Sequence, residues 1–249
     1  MSTETIWLGI AASLIVGLAT GAGALPVLFI KKVSDKLLDV MLGFSAGVML
    51  AATFFSLIIP AIDLSSVWIA LLGIIIGAIT LHLADRFIPH FHPMLGAEGP
   101  SSRLSKVWLF ALAITIHNFP EGLAVGVSFG SGDVAAGLVV AIAIGLQNMP
   151  EGLAVALPLL REGYSRRRCL WYGTLTGLVE PVGGLLGVGL VSVFNPVLPW
   201  ALAFAAGAML FVVSDEIIPE SHRKGFEREA TFGFMAGFVI MMILDSLFS

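Results

Sequence analysis

Along the chain, long apolar runs alternate with short polar breaks, and the runs fall in one length class. Reading the breaks as loops gives eight runs, at about 5–29, 37–61, 66–88, 104–129, 134–160, 169–193, 198–218 and 230–248. A helix needs about 20 mainly apolar residues to cross the hydrocarbon core of a bilayer, and each run reaches that length. The runs are much longer than barrel strands and do not alternate in polarity, so helices are the element they predict. The expected fold is all-α: a polytopic membrane protein of eight transmembrane helices, one transmembrane domain over residues 1–249. The opening MSTETIWLGI has no basic segment and no AxA-like cleavage site, so the first run is expected as a retained span, not a signal peptide.

Composition agrees. Hydrophobic residues make up 57% of the chain and charged residues 12%, with a mean hydropathy of +0.98. Soluble domains average roughly 25% charged residues, so a soluble α/β enzyme is excluded. The single cysteine, Cys169, rules out an intramolecular disulfide and a CxxC metal site.

The placement of charge orients the chain. All 13 Lys and Arg residues lie in or beside the loops after runs one, three, five and seven: Lys31, Lys32, Lys36, Arg86, Arg103, Lys106, Arg161, Arg166, Arg167, Arg168, Arg223, Lys224 and Arg228. The alternate loops (AIDLSS, GSGD, NPVLP) and both termini hold none. Positive loops stay inside, which predicts an integral membrane protein with its basic loops cytoplasmic and both ends extracytoplasmic. The basic residues then form a topological band, with no nucleic-acid partner implied. The longest loop, about 87–103, is expected as a flexible cytoplasmic connector carrying His90 and His92, either solvated or handling metal transiently.

Two segments inside the apolar runs break the pattern: HNFPEGLAV at 117–125 and QNMPEGLAV at 147–155. His117 lies about 13 residues, or roughly 20 Å, along run four, and Gln147 is at a similar depth in run five, entered from the other face. Antiparallel runs with related motifs at equal depth predict an inverted repeat with a site near the bilayer midplane. His117 and Glu121, like Gln147 and Glu151, are four apart and share a helix face, with Asn118 and Asn148 about 100° round. Pro120 and Pro150 cannot donate to the carbonyls of Ile116 and Leu146, which predicts a kink in each helix. Gly122 and Gly152 permit close packing.

An ionised carboxylate at this depth costs at least ~2.5 kcal/mol, and no Lys or Arg lies there to offset it. The compensating charge must be protons or a bound cation. Imidazole nitrogen with carboxylate and amide oxygens suits zinc, iron or manganese, against a plain alternative of a neutral network that glues helices. Glu180, also followed by a proline, is a candidate ligand. Met49 offers a sulfur, although a Met in such a run is more often packing. Ser56 and Asp63 lie further along run two, with Asp63 placed to attract cations at the outer end. Asp215, Glu216, Glu220 and His222 cluster at the inner end of run seven as a candidate exit relay. Asp245 reads as structural. His82 and Asp85 read as a structural pair or as part of the exit.

These motifs resemble the ZIP (Zrt/Irt-like protein) family of divalent-metal transporters, and length and motifs are most similar to its bacterial GufA-like branch. The resemblance covers nearly the whole chain, with HNxPEG present as residues 117–122 and its counterpart as 147–152. It implies a two-metal centre: one site from His117, Glu121, Gln147, Glu151 and Met49, the other from Asn118, Glu121, Glu151 and Glu180. It also implies Asp63 as an entrance residue, Ser56 as pathway lining, Glu216 as an exit ligand, an elevator-like movement, and import toward the cytosol. The chain departs from relatives with two metals by carrying neutral Asn148 where they carry Asp, which weakens the second site.

The expected function is therefore uptake of a divalent cation, Zn²⁺ first and Fe²⁺, Mn²⁺ or Cd²⁺ as alternatives, with ions leaving past run seven toward the loop histidines. Glu121 and Glu151 are expected to take up protons as metal leaves. A proton-coupled or organic-cation transporter is the second reading. An intramembrane metalloenzyme is a third, weakened because HExxH is absent. Membrane lipid is an expected partner, and small-residue faces such as GLATGAGA permit a homodimer.

Overall fold

The computed structural model describes residues 3–30, 33–92 and 96–248; Lys31, Lys32 and the side chain of His92 lie outside the described residues. Eight helices are long and apolar enough to cross a membrane: α1 (Thr3–Leu28), α2 (Asp35–Asp63), α3 (Val67–Phe87), α4 (Lys106–Gly130), α5 (Val134–Arg161), α6 (Arg166–Val193), α7 (Asn195–Ser221) and α8 (Glu227–Phe248). Their starts are written locally. The Ser34 and Ser66 hydroxyls accept from the N–H groups of Leu37 and Ile69 at 3.2 and 3.4 Å. The Asp133 carboxylate accepts from Ala135 and Ala136 at 2.9 and 3.1 Å, so each helix has an orphan amide satisfied.

The prolines act differently from place to place. Both α4 and α5 stay α-helical through Pro120 and Pro150, so the bends expected there interrupt neither helix. The helix that breaks is α6, between Arg166–Gly177 and Glu180–Val193. Pro181 has no N–H to return to the Gly177 carbonyl, and the chain restarts with Glu180 in the first turn of the second half. In α2 and α7 the ladder widens to π-helix at Thr53–Ile58 and Val213–Ile217, just ahead of Pro60 and Pro219. The two helices are related in sequence as well. FSAGVML at 44–50 matches FAAGAML at 204–210, and IIP recurs at 58–60 and 217–219.

The helices sort into two groups. In one, α1 packs on α5 and both halves of α6, and α4 packs on α6; in the other, α2 packs on α8 and α3 on α7. The groups meet where α2 faces α5 and α4 faces α7. Glycines set the closeness within each group. A Cβ at Gly122 would run into the Glu180 carbonyl, and one at Gly77 into that of Phe204. Among the described residues, every helical glycine whose added Cβ would strike another helix's backbone strikes one in its own group. These glycine-to-backbone contacts all lie inside one group or the other. The least buried helices are α3 and α8, which turn side chains such as Trp68, Ile75, Phe232 and Ile243 outward. Such a continuous apolar exterior suits lipid, not water.

The loop after α3, expected as a connector without regular structure, carries a short pair of strands. His90–His92 (β1) pairs antiparallel with Gly96–Glu98 (β2), with Phe91 opposite Ala97. Pro89 stops helical continuation, and β2 begins at Gly96 (φ +90°) and is followed by Gly99 (φ +74°), both in the left-handed region that glycine tolerates. Phe91 is held between two cations, with Lys106 Nζ and Arg223 Cζ each 5.9 Å from its ring. Apart from this hairpin the described fold is all-α.

Candidate metal centre

The repeated motif brings its polar residues to the middle of α4 and α5. His117, Asn118, Glu121, Gln147, Asn148, Glu151 and Glu180 are all buried, none exposing more than 1% of its surface. Glu180 joins them because the break in α6 puts it in a helical first turn packed against Gly122. Among the described residues, no Lys or Arg is buried with them.

A single pattern organises the three glutamates. Each has one oxygen held by a neutral donor at 2.7 Å: Gln147 Nε2 donates to Glu121 Oε1, Ser45 Oγ to Glu151 Oε1, and Asn148 Nδ2 to Glu180 Oε1. The other oxygen, Oε2 in every case, has no hydrogen-bond partner. Gln147 Oε1, Asn148 Oδ1, His117 Nδ1 and both polar atoms of Asn118 are likewise unpartnered. Buried polar atoms are normally satisfied, so this concentration of unpartnered atoms, most of them acceptors, makes the cluster a candidate cation site. Carboxylate, amide and imidazole donors together fit a divalent transition metal.

Met49 is fully buried on α2, one turn from Ser45 and on the same helix face. Asn148 also donates to the Val16 carbonyl at 3.0 Å, so its amide is committed and only its oxygen is left for an ion. Ser45 was missed by sequence reasoning. A serine among alanines and glycines looks like packing, and nothing local reveals that Glu151 lies opposite it.

His117 leads out of this site. Its Nε2 is hydrogen-bonded to Glu216 Oε1 at 2.5 Å. Glu216 belongs to a second cluster with Asp85 and His90, whose ligand atoms all lie within 4.8 Å of one another. This is more compact than the arrangement of His117 and the three glutamates. Sequence reasoning left His82 and Asp85 as a structural pair or as part of an exit; His82 packs edge-on against Phe211, while Asp85 faces His90 at 4.0 Å. His90 is 1% exposed, which excludes the solvated role, and Glu98 approaches its Nε2 at 3.6 Å. A cavity of about 500 Å³ beside the cluster is lined by His82, Asp85, Arg86, Glu98 and Asp215.

The remaining candidates are dispersed. Ser56 Oγ donates to Asp245 Oδ1 at 2.7 Å, which ties the π-turn of α2 to α8, and Asp63 is exposed at the end of α2. His222 caps α7 through the Ile218 carbonyl at 2.9 Å and also meets Thr231, so it does not join the Glu216 cluster. Glu220 binds Arg223 and Lys224, and Lys224 reaches the buried Asp39 at 3.4 Å.

Comparison with known proteins agrees with the motifs. The family described as ZIP Zinc transporter matches residues 96–245. The zinc transporter GufA of Myxococcus xanthus is 48% identical over 247 residues, covering 95% of this chain and 97% of the relative. Zinc transporter ZIPB of Bordetella bronchiseptica is 46% identical over 245 residues, covering 92% and 77%. The human zinc transporter ZIP11 is 36% identical over 321 residues, covering 91% and 93%. These are families of membrane transporters, not enzymes. With eight apolar helices and both copies of the PEG motif in place, the chain is an integral membrane protein that belongs to the ZIP family, in its GufA-like bacterial branch.

Proposed function

We propose that this protein takes zinc into the cytoplasm through a midplane site built from His117, Glu121, Gln147, Glu151 and Met49. The observation that carries the reading is the half-satisfied state of Glu121, Glu151 and Glu180: one oxygen held, the other free, with no basic side chain among the described residues to offset the charge. The names of the relatives make zinc the first substrate. The same ligands also suit iron, manganese and cadmium, since affinity follows the metal series.

A cation enters near Asp63, passes Ser56 and Asp245, and exchanges water for the midplane ligands. His117 then stands between the two clusters, because rotation about its side-chain bonds presents a ring nitrogen to either. The ion leaves through Glu216, Asp85 and His90 toward the cavity at Asp215 and Glu98. Glu121 and Glu151 take up protons as it goes. Asn148 leaves the second site with Asn118 and Glu180 as its own ligands, so the first site is the principal one. The confinement of the tight glycine contacts to each helix group supports a movement of α1, α4, α5 and α6 as one body past the others. The band of Lys and Arg supports a cytoplasmic location for the hairpin and extracytoplasmic termini.

The test is zinc uptake into proteoliposomes by the wild type, Glu121→Ala and Glu151→Ala. Saturable, chelator-sensitive uptake that both substitutions abolish in folded protein is expected. Uptake at the wild-type rate in either variant would overturn the site. Uptake of protons or organic cations that ignores chelators would favour the second reading.

A further inference from the structure

We infer that Ser45 is a positioning residue for the transport site, holding Glu151 from the opposite helix group so that its second oxygen faces the ion. The inference rests on the reading of that site given above. Ser45 is completely buried, and its hydroxyl donates to Glu151 Oε1 at 2.7 Å while lying 3.3 Å from the Gln147 carbonyl. Glu121 and Glu180 are oriented by amides of α5, within their own group. Glu151 alone among the three is oriented by a side chain of α2, in the other group.

The internal relation between α2 and α7 makes the hydroxyl specific. Where FSAGVML and FAAGAML align, Met49 corresponds to Met209, but Ser45 corresponds to Ala205. Both copies keep the methionine, and only the copy facing Glu151 carries a donor. Both positions are completely buried, and at the one in α7 alanine suffices. A hydroxyl is needed only where there is a carboxylate to hold.

The consequence for the ion is orientation. With Oε1 fixed by Ser45, the carboxylate cannot rotate to withdraw Oε2 from the other ligands, and a bound cation meets a prearranged oxygen. Outer partners of this kind act through the ligand they orient, and their loss weakens metal binding without removing a ligand. The bond also crosses between the groups, so it supports Glu151 in the arrangement described here and is released when α5 moves past α2.

The experiment measures zinc uptake into proteoliposomes against zinc concentration for the wild type, Ser45→Ala, Ser45→Thr and Glu151→Ala, with thermal unfolding of each protein in the absence of zinc. Ser45→Ala is expected to raise KM on the order of 10-fold with kcat little changed. Ser45→Thr, which keeps the hydroxyl, restores KM, and zinc-free Ser45→Ala unfolds at a lower temperature than zinc-free wild type or Ser45→Thr, because Glu151 Oε1 loses its donor. An unchanged KM in Ser45→Ala, a lower kcat at unchanged KM, or failure of Ser45→Thr to restore KM overturns the assignment. Glu151→Ala separates the two levels. If it abolishes uptake while Ser45→Ala behaves as wild type, only the role of Ser45 fails; if it transports normally, the site itself fails and the inference goes with it.

Discussion

His117 and Glu216 are hydrogen-bonded across the boundary between the two helix groups, 99 residues apart in the chain. His117 belongs to the midplane donor set and Glu216 to the Asp85–His90 cluster, so one bond connects the two candidate stations for an ion. Glu216 sits on the π-turn of α7, where the widened backbone turns it inward ahead of Pro219. If this bond is the route of departure, Glu216→Gln will slow release more than binding. We expect kcat for zinc uptake to fall roughly 10-fold with a smaller change in KM, as for loss of an outer metal partner. Equal kcat in the variant and the wild type, measured in proteoliposomes, would remove Glu216 from the path.

Glycine placement separates packing from mere composition. Gly122 and Gly152 lie against the carbonyls of Glu180 and Thr20, so Gly122→Ala or Gly152→Ala must push helices apart next to the site. Each is expected to cost about 1–3 kcal/mol, the range for overpacking. Gly145, on the same helix as Gly152, has nothing within 4 Å of an added Cβ. Gly145→Ala is therefore expected to be neutral or to stabilise by up to about 1 kcal/mol through helix propensity. Thermal unfolding of the three purified variants tests the contrast, and similar melting of all three would refute it.

Arg161 and Asp35 also join the two groups, through an ion pair of 2.8 Å between the last turn of α5 and the first turn of α2. Their side chains are 52% and 45% exposed, so solvent screens the pair and it contributes about 0–1 kcal/mol. Arg161→Gln should shift the unfolding midpoint by no more than a few degrees, roughly 2–4 °C per kcal/mol for a chain of this size. A larger loss would mean that the pair holds the groups together despite its exposure.

The two levels of organisation were not equally legible in the chain. Span-length apolar runs and a one-sided distribution of Lys and Arg announce the eight helices, because hydrocarbon tolerates little else. His117, Glu121 and Glu151 stand out for the same reason: a charge inside such a run is costly and needs an explanation. The hairpin at His90–Glu98 gave no such signal, since strands of three residues have no measurable periodicity. Asp85 and His90 meet only because Pro89 ends the helix between them and the hairpin folds back. Ser45 is neutral and small, and its role depends on a partner 106 residues away. The break in α6 was signalled by Pro181, but two prolines of similar appearance, Pro120 and Pro150, leave their helices continuous.

Asn148 offers the sharpest test of how many ions the centre holds. Its amide donates to Glu180 Oε1 at 2.7 Å and to the Val16 carbonyl at 3.0 Å, so in the metal-free protein it neutralises demand that a carboxylate would increase. Asn148→Asp removes both donations and sets a new carboxylate beside Glu180. Each acceptor left unsatisfied costs about 1–3 kcal/mol, so the zinc-free variant is expected to unfold at a lower temperature than the wild type. Zinc should then reverse the order of effect. A second ion held between the introduced carboxylate and Glu180 would offset the repulsion, giving a larger zinc-induced rise in unfolding temperature than in the wild type. Titration of the purified proteins with zinc is expected to raise the number of tightly bound ions from about one to about two on this substitution, since one more anionic ligand completes the second set. Equal stoichiometry in both proteins, with the variant merely destabilised, would show that the neutral amide at this position is not what limits the second site.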